Sequence, residues 1–528
     1  MSDGSSAPVA AFLGIPFAKP PTGALRFKPP VAEDPWTGTK DALHFGNACL
    51  QRPIPAYTFQ VGDDPAVYDE DCLYLNVYTP LNSPNSTSLP LTSLPVMVWV
   101  HGGGYSIGSA SMYPGKSLAA TGVVLVTINY RLDVFGFLST EDDVVPGNYG
   151  MLDQIAALKW VQKNIANFGG DPNMVTVFGE SAGASGVSLL VLSPLSKGLF
   201  HRSIQESGSC LSSWGVEHPA YRISPAMAAR LLGAGAECPD FTNSTNLLSC
   251  LQTLDSHRLL NMSLTLGEAL GNQFFNVPRV ETSYGFLPDL PINLLSRGEF
   301  NHVDTISGFN GEEMANMPQF AAVSTLEEAR QAFYLPEFTE LDKSRIAGLA
   351  LSTFFNNVTA DANTFFHNIV EAQDAFSFVG PALLELSMKV PKSQGKSHYL
   401  YEFRHRPSYQ KEPKWATAFH GDELAFVFGV QEKTFTNFFH FQPDSADLSV
   451  SKQMMEMWSS FAKTGVPSST AAGISWKTYS PSAPNYLEIS ENSALKMWSS
   501  PKVLSFFKKI VRITDIGDIQ SGDVDILG

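Results

Sequence analysis

MVTVFGESAGASGVSLLVL, residues 174–192, decides the fold. MVTVF is a short run rich in β-branched residues and reads as a buried strand, while ASGVSLLVL behind it reads as a helix. GESAG, residues 179–183, joins them as a G-x-S-x-G turn. Glycines at both ends of such a turn let backbone approach closely, so a strained strand-to-helix corner would present Ser181 Oγ at the C-terminal edge of a sheet. A serine hydroxyl is a poor nucleophile unless a base takes its proton and a third group orients that base, so a histidine and a carboxylate are expected to join Ser181 from elsewhere in the chain.

Upstream, PVMVWV (95–100) and VVLVTINY (123–130) have the same buried-strand character. Between the second of these and MVTVFG (174–179) lies a helix, because Leu152, Ile155, Leu158, Val161, Ile165 and Phe168 recur every three or four positions until Gly169 and Gly170. Strand, helix, strand implies a right-handed crossover and a parallel sheet. Residues 211–300 look irregular and 318–390 mostly helical, and both are expected to be cap or lid insertions in one scaffold; SHYLYEFR (397–404) returns to strand.

HGGGYSIG (101–108) follows the strand PVMVWV directly. Three successive glycines let backbone N–H groups converge on one point, where they could hold a developing oxyanion together with the N–H that follows the nucleophile. Gly103, Gly104 and Ala182 are the candidates, and His101 is expected to hold the loop.

The chain has 528 residues, 44% of them hydrophobic, and a formal net charge of -16. That charge opposes phosphate backbones and anionic membranes, so no nucleic-acid partner is expected. No run approaches the roughly 18 apolar residues that a spanning helix needs. The first residues, MSDGSSAPVAAFLGIPFA, show no basic segment followed by a sustained apolar run. Of five cysteines, Cys49 and Cys72 flank one loop and Cys238 and Cys250 another, leaving Cys210 alone. Local pairs of this kind read as disulfides in an oxidising compartment, against the alternative of unpaired core thiols. Sequons begin at Asn85, Asn243, Asn261 and Asn357.

With elbow and glycine loop in order, the chain resembles the type-B carboxylesterase and cholinesterase family. The resemblance runs from FLGIPFAKPPTGALRF (12–27) through EDCLYLNVYTP (70–80), NYRLDVFGFLS (129–139), GNYGMLDQ (147–154) and GGDPNMVTVFGESAG (169–183) to WSSFAKTGVP (458–467). It implies an α/β-hydrolase fold, a single domain across 1–528, hydrolysis of a small-molecule ester through an acyl-enzyme, and no cofactor. In ATAFHGDELAFVFG the family's H-G-x-E pattern falls on His420, the implied general base. In SGFNGEEM the family's acid aligns with Glu313; Glu312 beside it is a rival, and the matching Gly308 and Asn310 favour Glu313. The resemblance also supports Cys49 with Cys72 and Cys238 with Cys250 as bridges, matches Arg26 and Glu70 to an ion pair, and leaves Cys210 free. Glu180, beside the serine, is open to a role in the local field or in packing.

Cholinesterases carry a tryptophan about ten residues before the second cysteine of the first loop, where its ring binds a quaternary ammonium. FQVGDDPAVYDEDC (59–72) has none, which favours neutral esters of short to medium acyl length over choline esters. Phe274, Phe275, Val277 and Phe286 are candidates to line an acyl pocket or to pack the core. A lipase and a non-catalytic adhesion protein of the same fold are the competing readings; the adhesion reading is opposed by the retained Ser181, Glu313, His420 and glycine loop. The family usually has already formed a small N-terminal sheet where this sequence starts, which leaves its first edge strands and its secretion open.

Overall fold

The structure, a computed structural model, describes residues 8–53, 66–81, 93–217, 223–271, 276–333, 338, 340–355, 362–411, 413–470 and 473–514. Phe274, Phe275, Asn85 and Asn357 lie outside the described residues, as does most of the 82–95 loop.

Ten strands form one mixed sheet. In chain order they are β1 (Val9–Pro16), β2 (Tyr74–Pro80), β3 (Leu94–Val100), β4 (Val124–Ile128), β5 (Gly170–Glu180), β6 (Arg202–Glu206), β7 (Asp304–Asn310), β8 (His398–Phe403), β9 (Asn485–Ile489) and β10 (Ala494–Met497). Their spatial order is β1-β2-β4-β3-β5-β6-β7-β8-β9-β10. From β4 through β9 every neighbouring pair is parallel, and the antiparallel pairs fall at the two edges. The helix read from periodicity, α1 (Tyr149–Asn164), carries the chain from β4 across β3 to β5, with Gly169 in the left-handed conformation (φ 82°) ending the crossover.

Alternation along the strands explains why both faces are covered. Val96, Val98 and Val100 of β3 join one apolar cluster with Val124, Val126, Val175 and Val177, while Met97 and Trp99 join another with Leu125, Phe178 and Ile204. Helices cover both faces, as a parallel sheet requires. This is the α/β-hydrolase architecture.

Among the described residues between β6 and β7 lie four helices, α2 to α5 (Pro225–Gly235, Ser244–Thr253, Ser256–Leu270 and Pro291–Arg297). The stretch read from sequence as irregular is therefore largely helical. Its helix starts are local: the side chains of Ser224, Asn243 and Asp255 each accept a backbone N–H at the first turn. Between β7 and β8 come α6 (Glu340–Phe354), α7 (Ala362–Asp374), a π-helical turn (Ala375–Val379) and α8 (Gly380–Lys389). Two disulfides, Cys49–Cys72 and Cys238–Cys250, are formed, and Cys210 is a buried free thiol. No helix among the described residues is long and apolar enough to cross a membrane.

Candidate active site

Ser181 occupies the corner between β5 and a fully buried helix, Ala182–Leu192. Its φ of 56° and ψ of -125° lie in a region that a side chain rarely occupies. Such strain persists only where neighbours hold it, and here they do. A Cβ on Gly179 would stand 2.6 Å from the Val100 carbonyl oxygen and one on Gly183 only 2.1 Å from it, so both positions admit nothing larger than glycine. The Ser181 N–H donates to the Glu206 carbonyl at 2.8 Å, tying the corner to the neighbouring strand.

The glycine loop leaves the end of β3 and lies against this corner, where a Cβ on Gly102 would meet the Ser181 Cβ at 3.0 Å. Gly103 and Gly104 take φ values of 103° and 61°, and the N–H groups of Ser106 and Ile107 both donate to the Gly103 carbonyl at 3.0 Å. Ala182 begins its helix, so its N–H has no partner within that helix. His101 is stacked on Tyr130 with ring centroids 4.5 Å apart, and its Nδ1 donates to the Gly102 carbonyl at 2.8 Å. Burial, only partly offset by that bond, pulls its pKa down to about 4, so it holds the loop as a neutral ring. Gln51, which the sequence reading missed, anchors the far end: its amide donates to the Gly108 carbonyl and accepts from the Gly108 N–H, both at 2.8 Å. The first disulfide loop is thereby joined to the glycine loop.

Glu313 reaches the serine from the turn after β7, and His420 from the segment between β8 and the helix Glu423–Phe428. Ser181 Oγ donates to His420 Nε2 at 2.9 Å, and His420 Nδ1 donates to Glu313 Oε2 at 2.7 Å. The other oxygen of Glu313 accepts from Ser207 Oγ and from the Asn310 N–H, each at 2.7 Å, so this fully buried carboxylate has a donor on both sides. Glu312 points elsewhere. It binds Arg404 at 2.8 Å and accepts from the Thr417 N–H and Oγ1 at 2.6 and 2.7 Å.

Glu180 is the second carboxylate at the imidazole, with Oε1 3.2 Å from His420 Nε2. Burial pushes the pKa of Glu180 up, opposed by His420 and reinforced by Glu313. For His420 burial favours the neutral ring, but the carboxylates of Glu180, Glu313 and Asp422 outweigh it and raise its pKa. Behind them sits Glu206, register partner of Glu180 on β6, fully buried and accepting from the indole N–H of Trp458 at 2.8 Å. Burial pushes Glu206 up to about 8. Tyr401 reaches this group across β7 because its register partner is Gly308, where any Cβ would stand 2.1 Å from the Tyr401 ring.

Across residues 1–506 the chain matches the model of the carboxylesterase family. The chain belongs to the carboxylesterase family. It is 37% identical to carboxylesterase 1C of Mus musculus over 482 residues, covering 88% of this chain and 82% of the relative. It is likewise 37% identical to the liver carboxylesterase of Sus scrofa over 525 residues, covering 93% and 87%. To carboxylesterase 5A of Homo sapiens it is 35% identical over 512 residues, covering 93% and 83%. The chain is a carboxylic-ester hydrolase. Val277 and Phe286 are buried in the main core, at 4% and 0% exposure. The aromatic ring beside the imidazole is Phe378, with Trp214 behind it. Neither was singled out from the sequence, where Trp214 sits in an unremarkable loop and Phe378 in a phenylalanine-rich helix. Among the described residues no group of His, Cys, Asp and Glu is placed to hold a metal ion.

Proposed function

We propose that the chain hydrolyses neutral esters of short to medium acyl length through an acyl-enzyme on Ser181. The observation that carries this reading is the unbroken relay from Ser181 Oγ through the His420 ring to Glu313, at 2.9 and 2.7 Å. With the Nδ1 proton on Glu313's side, Nε2 is free to take the serine proton as Oγ adds to the ester carbonyl. The carbonyl oxygen becomes negative and is received by the N–H groups of Gly103, Gly104 and Ala182, which are fixed before the reaction begins. The tetrahedral species collapses, the C–O bond to the alcohol breaks, and His420 returns the proton to the departing oxygen. Water then repeats the sequence at the acyl-serine and releases the acid. Glu313 keeps the ring in the right tautomer and faces the imidazolium that each half-reaction generates.

Ser181→Ala is expected to lose at least about three orders of magnitude in kcat while melting like the parent. Peptide mapping after organophosphonate treatment should find the label on Ser181; a label on another residue overturns the assignment. For acyl length, p-nitrophenyl esters of graded chain would be run beside acetylthiocholine. The missing tryptophan in 59–72 supports the neutral ester, and a tenfold preference for acetylthiocholine over p-nitrophenyl butyrate would restore the choline reading. We read the chain as one hydrolase domain whose cap helices are insertions, and place it in the secretory pathway or outside the cell, where its two disulfides would persist.

A further inference from the structure

The π-helical turn Ala375–Val379 is buried throughout and lies against the machinery of the site. π-turns are uncommon and occur frequently at functional sites. This one delivers Phe378, 5% exposed, whose ring centroid is 4.6 Å from that of His420 with the planes inclined at 43°. Its surroundings hold it there. Trp214 packs on the Phe378 ring at 5.6 Å and donates its indole N–H to the Ser377 carbonyl at 3.2 Å. Asp374, one residue before the turn, accepts the Met314 N–H at 3.0 Å, next to Glu313 in sequence. At the other end a Cβ on Gly380 would meet the Ala375 carbonyl oxygen at 2.3 Å and the Phe507 Cβ at 2.6 Å, so the C-terminal helix (Lys502–Ile513) closes on the turn from behind. Phe376 is spent elsewhere, against Phe333 and Phe338.

We propose that Phe378 is a positioning residue for ester hydrolysis: its ring holds the His420 imidazole in line with Ser181 and presents a π face to the imidazolium that forms during acyl transfer. A cation within about 6 Å of an aromatic centroid is attracted to the ring face. The charged groups that act most strongly on the imidazole are carboxyls, Glu180 from the end of β5, Glu313 from the turn after β7, and Asp422 from its own segment. Glu313 and Glu180 supply charge at the ring edge, 2.7 Å from Nδ1 and 3.2 Å from Nε2. Phe378 adds an attraction that carries no proton of its own, so its removal must show as a change in the basicity of His420 and not as a lost titration.

The proposal rests on His420 being the general base, and the test separates the two. Organophosphonate titration of Ser181 counts functional sites in every variant, and His420→Ala, expected to lose at least about three orders of magnitude in kcat, tests the base assignment by itself. Profiles of kcat against pH for p-nitrophenyl butyrate then compare the parent with Phe378→Leu and Phe378→Trp. Phe378→Leu is expected to lower kcat per titrated site about three- to thirtyfold, with KM changed less than about threefold. Its acid-limb midpoint should fall by about half to one pH unit, because an imidazolium without its ring face gives up its proton more readily. Phe378→Trp should restore most of both. Should Phe378→Leu not fold, stepwise fluorinated phenylalanines at 378 keep the shape and weaken the ring face, and kcat is expected to fall with each fluorine. An acid limb that stays in place or moves up in Phe378→Leu, or a kcat indifferent to fluorination, would overturn the proposal.

Discussion

Glu312 and Glu313 are adjacent, chemically identical and both largely buried, yet their environments differ in kind. Glu313 sees an imidazole, a hydroxyl and an amide; Glu312 sees a guanidinium and Thr417. Glu313→Gln keeps the shape but puts an amide N–H or a neutral oxygen opposite Nδ1, which spoils the tautomer the reaction needs. We expect kcat to fall about 10³- to 10⁴-fold with little change in melting temperature. Glu312→Gln should do the reverse, keeping kcat within a few-fold while costing about 1.5–3 kcal/mol through weakened bonds to Arg404 and Thr417. Steady-state kinetics with denaturant unfolding on both variants checks the pair, and interchanged effects would reassign the acid. In sequence this distinction was reachable only through the family pattern around Gly308 and Asn310. Ser181 and His420 are 239 residues apart, so no spacing rule could have paired them.

At the scale of elements, Arg26 does what a disulfide does, without a covalent bond. Its guanidinium binds both oxygens of Glu70 at 2.7 and 2.6 Å and donates to the carbonyls of Leu251 and Leu254 at 2.7 and 2.8 Å. One side chain therefore clasps the first disulfide loop to the helix that bears Cys250. The two side chains are 6% and 9% exposed, so truncating one strands the other in a site with little water. Arg26→Ala is expected to cost about 3–5 kcal/mol, read by denaturant unfolding, and Arg26→Ala with Glu70→Ala less than the sum of the two singles. A cost under 1 kcal/mol would show the clasp to be dispensable. The family pattern identified this ion pair but said nothing of the two carbonyls. The same limit applies to helices α2 to α4: their caps at Ser224, Asn243 and Asp255 are local signals, but partly exposed helices with short apolar stripes look irregular when read along the chain. The central strands were plain because burial on both faces demands unbroken β-branched runs. The π-turn left no trace, since its spacing departs from both helical and strand periods.

The whole molecule keeps several carboxyls out of water, and this links its stability to pH. Burial pushes Glu206 up to about 8 and Asp422 to about 6, against ordinary values of 4.5 and 3.8. A carboxyl whose pKa is raised on folding contributes stability that is fully present below its unfolded value and is lost as pH rises through the folded one. These two therefore weaken the fold progressively between about pH 4 and pH 8. His101 opposes them: burial lowers it from 6.5 to about 4, so its contribution disappears as pH falls across that interval. Thermal melts are expected to peak in mild acid, at about pH 5 to 6.5, and to decline toward pH 9. Glu206→Gln should flatten the decline, and a melting temperature still climbing at pH 9 would contradict the assignment.

The spread of the site along the chain also has a consequence in time. Ser181 is made first, Glu313 later and His420 239 residues after the serine, while Phe507 behind the π-turn follows later still. During synthesis the serine corner would exist before the residue we propose as its base. On the role proposed for His420, a chain that stops short of it would be a poor nucleophile, and ester cleavage would wait for the segment that follows β8. On the roles proposed for Ser181, Glu313 and His420, hydrolytic competence would certify that the segment after β8 has joined the serine corner.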